Sequence, residues 1–171
     1  GTVAQVVELP GGGGGGGVGG HWDKVDEEVA DDLTTYVYTS SATQEKDAYT
    51  LQDTTQTGTI NEVTIYSRTQ GCAEVWVRVA GVEYDGSFTI CNGGTWGDNV
   101  GPTVESAVIP GGWTWAKIND MQVVVGLQLD GTYDGRVTQI WVRVTYNDTL
   151  NLDLRPDGDG DYINICCQVP E

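Results

Sequence analysis

The chain has 171 residues, enough for one well-cored domain and too few for two ordinary ones, and its 25 acidic against 8 basic residues leave a net charge of -17. That balance repels phosphate backbones and anionic membrane surfaces, so it argues against nucleic acid as a partner while favouring solubility and divalent cations. No apolar run approaches the roughly 18 to 20 residues of a membrane span, and Gly1 in place of methionine reads as a processed end.

Residues 1–10, GTVAQVVELP, alternate as a strand does, with Val3, Val7 and Leu9 on one face. A tether follows, residues 11–20, in which nine of ten are glycine. A strand packed in its own sheet needs only a short turn, so the slack predicts a donor strand that completes a neighbouring subunit. Extended, such a tether spans at most about 33 to 36 Å; as a flexible coil it covers roughly 16 to 19 Å.

The body is read as residues 21–149. His21 is the single histidine, and no HExxH, GxSxG or GxxxxGK[ST] motif accompanies it, so beside Trp22 it reads as packing. Adjacent carboxylates at Asp26-Glu27-Glu28 and Asp31-Asp32 leave a glycosidase-like pair open on counting alone. In a chain this acidic they are expected on solvated loops, and no enzyme is predicted. Short helical turns are expected only at Lys24 to Ala30 and at Trp115 to Asp120, the latter after Thr114 as a cap.

Elsewhere the apolar residues recur at every second position. Val75, Val77 and Val79 share a face, as do Met121, Val123, Val125, Leu127 and Leu129, and then Thr138, Ile140, Val142, Val144 and Tyr146. Turn dipeptides separate these runs: Thr57-Gly58, Ala80-Gly81, Asp85-Gly86, Gly93-Gly94, Gly111-Gly112, Asp130-Gly131 and Asp134-Gly135. The fold class is therefore all-β, a two-sheet antiparallel β-sandwich of jelly-roll type with extended terminal segments. Cys72 and Cys91 bracket the hairpin candidate AEVWVRVAGVEYDGSFTI, where a disulfide would staple its ends. Trp76 and Trp141 lie opposite the valine rows, so they either cover a second apolar layer or are exposed; six tryptophans against one phenylalanine also fit stacking on sugars.

Residues 150–171 form a C-terminal segment. Leu150, Leu152 and Leu154 make a further apolar row, read as a second donor or as a strand neighbouring the acceptor groove. Asp157, Asp159 and Asp161 alternate with glycine, which is how oxygen ligands gather around calcium, although the EF-hand positions for glycine and glutamate hold Tyr162 and Gln168. A plain Asp-Gly turn is the other reading. Cys166 and Cys167 are adjacent, disfavour bonding to each other, and are expected to seek partners elsewhere, including another subunit. The even cysteine set, with few lysines and much Thr, Gly and Asn, points to an oxidising, extracellular setting.

The stretches HWDKVDEEVADDLTTYVYT, DAYTLQD, GTINEVTIYSR, GWTWAKINDMQVVVGLQL and RVTQIWVRVTY resemble a family of β-sandwich domains from bacteriophage, environmental-virus and bacterial surface proteins. The resemblance covers residues 21 to 146 and implies a jelly-roll structural module without known catalysis. Such domains open with a strand ending in a Leu-Arg-Pro-Asn/Asp turn. Here that opening is reduced to VVELPGGGGGGG, while LDLRPDGDGDYINI, residues 152–165, matches it better. The end of the chain thus resembles the start of a next domain: either a tandem array cut inside its second repeat, or a subunit whose terminal strand completes a neighbour.

The expected function is a structural subunit of an extracellular, cell-surface or virion-associated homopolymer that assembles by β-strand exchange between identical subunits. The alternative is a carbohydrate-binding or adhesion module that uses exposed tryptophans against a glycan.

Overall fold

The computed structural model describes residues 24–26, 29–84, 89–146 and 150–154. Two five-stranded antiparallel sheets pack face to face. The strands are β1 (Val37–Thr39), β2 (Glu45–Thr50), β3 (Ile60–Gln70), β4 (Cys72–Val79), β5 (Val82–Tyr84), β6 (Thr89–Cys91), β7 (Gly97–Glu105), β8 (Gln122–Gln128), β9 (Gly135–Tyr146) and β10 (Leu150–Leu154). Sheet A runs β1-β9-β3-β7 with β10 also on β9; sheet B runs β2-β8-β4-β5 with β6 also on β4.

The pairings nest about one turn. β4 pairs with β5 and β6, β3 with β7, β2 with β8, and β1 with β9. This is a chain folded back on itself and wrapped into two layers, the strand order of a jelly roll, with β5 and β6 sharing one place and β10 added. At the centre of the nest, Val79 faces Val82 across Ala80-Gly81, and both turn residues have positive φ, 50° and 80°. Two left-handed residues in a two-residue loop give the turn whose twist matches the flanking strands.

The expected alternation carries the core. Val63 and Ile65 of β3 and Ile140, Val142 and Val144 of β9 face Val75 and Val77 of β4 and Val123, Val125 and Leu127 of β8, all at most 1% exposed. Met121 is buried just before β8, whereas Leu129 lies beyond its end and is half-buried. The two sheets approach closely at β7, where an added Cβ on Gly101 would stand 2.8 Å from Val75 Cγ2 and 3.0 Å from the Ile65 carbonyl. Trp76 resolves to the first of its two readings: it is 3% exposed and forms a second small apolar layer with Ala48 and Val124, outside sheet B.

One α-helix is present among the described residues, α1 (Trp115–Asn119), with the Thr114 hydroxyl accepting from Lys117 N as its cap; a 3-10 turn, Ser106–Val108, follows β7. It closes one end of the sandwich: Ile118 is fully buried, and Asn119 exchanges two hydrogen bonds with the Thr54 backbone at 3.0 Å each. Of the helical turn expected from Lys24 to Ala30, the described residues show a 3-10 turn at Lys24 and no α-helix. Val25 is buried in the core, and its carbonyl accepts from the Ile140 N–H of β9.

Candidate functional site

Sheet edges are the first place to look, because a strand there carries backbone donors and acceptors that another segment can satisfy. One side of β9 lies against β3 along nearly its whole length. Its other side is filled by separate pieces. β1 pairs at Gly135 to Val137, β10 pairs at Val142 to Tyr146, and between them the Ile140 N–H donates to the Val25 carbonyl at 3.0 Å. Val25 and Leu154 therefore sit at neighbouring positions on one edge. The row Leu150, Leu152, Leu154 belongs to this edge, in register with Tyr146, Val144 and Val142, and Leu154 is buried.

The disulfide is present. Cys72 and Cys91 are register partners on β4 and β6, with Cα atoms 4.2 Å apart. That is the close spacing of a non-hydrogen-bonded antiparallel pair, which is why the side chains meet. Gly71 N–H donates to the Gly93 carbonyl and Asn92 N–H to the Gly71 carbonyl beside it, so the bond locks the sheet end where β6 turns toward β7.

The outer face of sheet A gathers aromatic rings and arginines. Tyr66 and Trp141, directly opposite on β3 and β9, stack at 5.1 Å with 10° between their planes, and Arg143 lies 5.1 Å over the Tyr66 ring. Trp141 is thus half-buried and engaged rather than flat to solvent. Nearer β1, Tyr36 meets Tyr38 and Trp96 at 6.1 Å each, with Arg136 5.0 Å above its ring. The segment before β1 crosses this face. Asp32 accepts two bonds from Arg68, at 2.5 and 2.7 Å, and Asp98 of β7 takes a third at 2.7 Å. Those bonds, Asp32 first, raise the Arg68 pKa further above its ordinary value. Asp31 accepts from the Thr35 N–H and hydroxyl at 3.0 and 2.9 Å. The Asp31-Asp32 pair is thus used in holding the segment down, one residue in a turn and the other in an ion pair.

A polar cleft of about 340 Å³ opens beside the end of α1, against Thr50, Arg78, Gly81, Asn119, Asp120 and Gln122. Its cation is committed: Arg78 donates to Glu83 at 2.6 Å and to Gln122 at 3.4 Å. The Arg78 hydrogen bond lowers the Glu83 pKa, with the Lys46 charge in support and burial opposing. What the cleft offers beyond that pair is hydroxyl, amide and carboxylate hydrogen bonding.

Val3, Val7, Leu9, His21, Asp157, Asp159, Asp161, Cys166 and Cys167 lie outside the described residues, and so does the calcium reading that rests on the three aspartates. Among the described residues no cluster of His, Cys, Asp or Glu is arranged to hold a metal ion, and no helix is long and apolar enough to cross a membrane. Sequence reasoning missed β7. Gly101 and Pro102 interrupt its alternation, although a proline inside a run of strand-forming residues is itself the mark of an edge strand. It also missed the Tyr36–Trp96 contact, which joins distant parts of the chain and leaves no local pattern.

Comparison of the chain with protein-family models, with curated proteins and with solved structures found no match.

Proposed function

We propose that this chain is a structural, non-catalytic subunit of an extracellular or virion-associated homopolymer, joined to its neighbours by exchanged β-strands. One observation carries the reading. Val25 and Leu154, the residues nearest the two terminal stretches in these contacts, both sit on the β9 edge, through the Val25–Ile140 hydrogen bond and the Leu154–Val142 register. That supports a strand-like stretch on a glycine tether reaching a neighbour's sheet. The resemblance of residues 21 to 146 to β-sandwich domains of phage and bacterial surface proteins belongs to the same proposal, and the Cys72–Cys91 disulfide is compatible with an extracellular place. Calcium at Asp157, Asp159 and Asp161 and intersubunit bonds from Cys166 or Cys167 would reinforce such joints. The glycan-binding alternative is less well supported, because Tyr66 and Trp141 turn ring area toward each other.

The test is assembly of the full chain. Purified protein at high concentration should form polymers visible by negative stain. Val7→Asp with Leu9→Asp should leave the circular dichroism of a folded β-protein and weaken assembly. A native protein that stays monomeric at high concentration overturns the proposal.

A further inference from the structure

Strand exchange needs an acceptor, and the inference here rests on the reading above. Sheet B ends at β2 and at the paired short strands β5 and β6; sheet A ends at β1 with β10, and at β7. β1, β5 and β6 have three residues each. On β2, which has six residues, the middle three, Asp47, Ala48 and Tyr49, are at most 3% exposed and already covered. β7 differs. It has nine residues, it pairs only with β3 among the described residues, and Asp98, Val100, Thr103 and Glu105 are all exposed. Val100 is 58% exposed, unusual for a valine in the middle of a strand. The carbonyls near the two ends are occupied, Gly97 by the Asn99 amide and Val104 by the Trp113 indole N–H, each at 2.9 Å. The open stretch is Asp98 to Thr103.

We propose that the outer edge of β7 at Asp98–Thr103 is the acceptor, and that its occupant is residues 2–9 of a second copy. TVAQVVEL is eight residues of extended alternation ended by Pro10, a length that matches β7. Main-chain bonds would supply the affinity, and one apolar side of the incoming strand would cover Val100. Pro102 has no N–H to give, so it excludes registers that need a donor there.

Val25 lies beside β9 on the side away from β7. From there the outer edge of the chain's own β7 is about 19 Å away at about 4.8 Å per strand, which takes up the whole coil span of the tether. Where two sandwiches meet edge to edge with the donor strand between them, that strand lies about one strand spacing from the edge it comes from, so a neighbour's β7 takes up far less of the tether. A contact between opposite edges is heterologous and propagates head to tail.

The experiment uses the full chain, its Val100→Asp variant and the Val7→Asp/Leu9→Asp variant, read by sedimentation velocity and by hydrogen exchange across residues 98–103. Both variants should raise the concentration at the assembly midpoint at least tenfold while the melting temperature of the body holds. In the unsubstituted protein, exchange at 98–103 should slow at least tenfold as concentration rises through assembly. If Val7→Asp/Leu9→Asp blocks assembly while Val100→Asp assembles normally and exchange at 98–103 stays fast, strand exchange stands and β7 as acceptor is wrong. Equal protection of 98–103 at every concentration means that the strand docks within its own chain, which overturns the second copy as occupant. Absence of assembly with fast exchange overturns both readings.

Discussion

Removing the Cys72–Cys91 bond with Cys72→Ala and Cys91→Ala isolates the contribution of one covalent link to a sandwich that otherwise rests on packing. The cysteines are separated by 19 positions in the chain. Closing a loop of that length removes chain entropy from the unfolded state worth about 3 kcal/mol. For a chain of this size that corresponds to a fall in melting temperature of roughly 6 to 12 °C. The loss should be concentrated locally as well, because β6 is held to β4 by only three register pairs, Cys72–Cys91, Ala73–Ile90 and Glu74–Thr89. Thermal unfolding followed by circular dichroism measures the first effect, and amide exchange at Ile90 the second. Unsubstituted protein in reductant serves as a control and should melt close to the double variant. A fall of less than about 2 °C in both would refute the entropic argument, since the loop would then have to be nearly closed before folding.

At the hairpin turn, Ala80→Asn should stabilise by up to about 1 kcal/mol, since asparagine tolerates the left-handed conformation that alanine holds there at φ 50°; a lower denaturation midpoint in urea would contradict the turn assignment. Gly101→Ala should destabilise by about 1 to 3 kcal/mol, because its Cβ meets Val75 and the Ile65 backbone, and an unchanged midpoint would mean that the sheets yield there at no cost. Glu83 has a folded pKa lowered chiefly by Arg78, so its contribution is present above the unfolded carboxylate range and is lost as pH falls through the folded value. Glu83→Gln should accordingly be less stable than the unsubstituted protein at pH 7 and match it near pH 2; an equal deficit at both pH values would assign the effect to packing instead.

The strands that were legible in the sequence are those whose inward positions are all apolar. β4, β8 and β9 alternate cleanly, and their buried rows fall at the positions the alternation marks. β2 was hidden because Asp47 sits at an inward position, 2% exposed, where the Tyr49 hydroxyl donates to it at 3.2 Å. β7 was hidden for the opposite reason: as an edge strand it needs few apolar residues, and besides the buried Val104 its contacts are made by Asn99, Gly101 and Thr103. The disulfide was legible because its partners flank one local hairpin. The open edge was not, since which strand ends a sheet is decided by pairings between residues far apart in the chain.

The nested strand order also fixes a sequence of closure. β4 and β5 meet across a two-residue turn, whereas β3 must find β7, β2 must find β8, and β1 must bring Val37 to Val137. Each wider pairing closes a longer loop, but loop entropy grows only slowly once the inner strands are in place. The sandwich should therefore zip outward from Ala80-Gly81, with the disulfide-bearing strands among the first to meet and the three-residue β1 the last. The segment that enters the body through Val25 reaches its place beside β9 at the end of that process. Because Val25 is itself part of the core, the interior is complete only when that last segment is seated, so the step that finishes the packing is also the step that fills the gap between β1 and β10 beside β9.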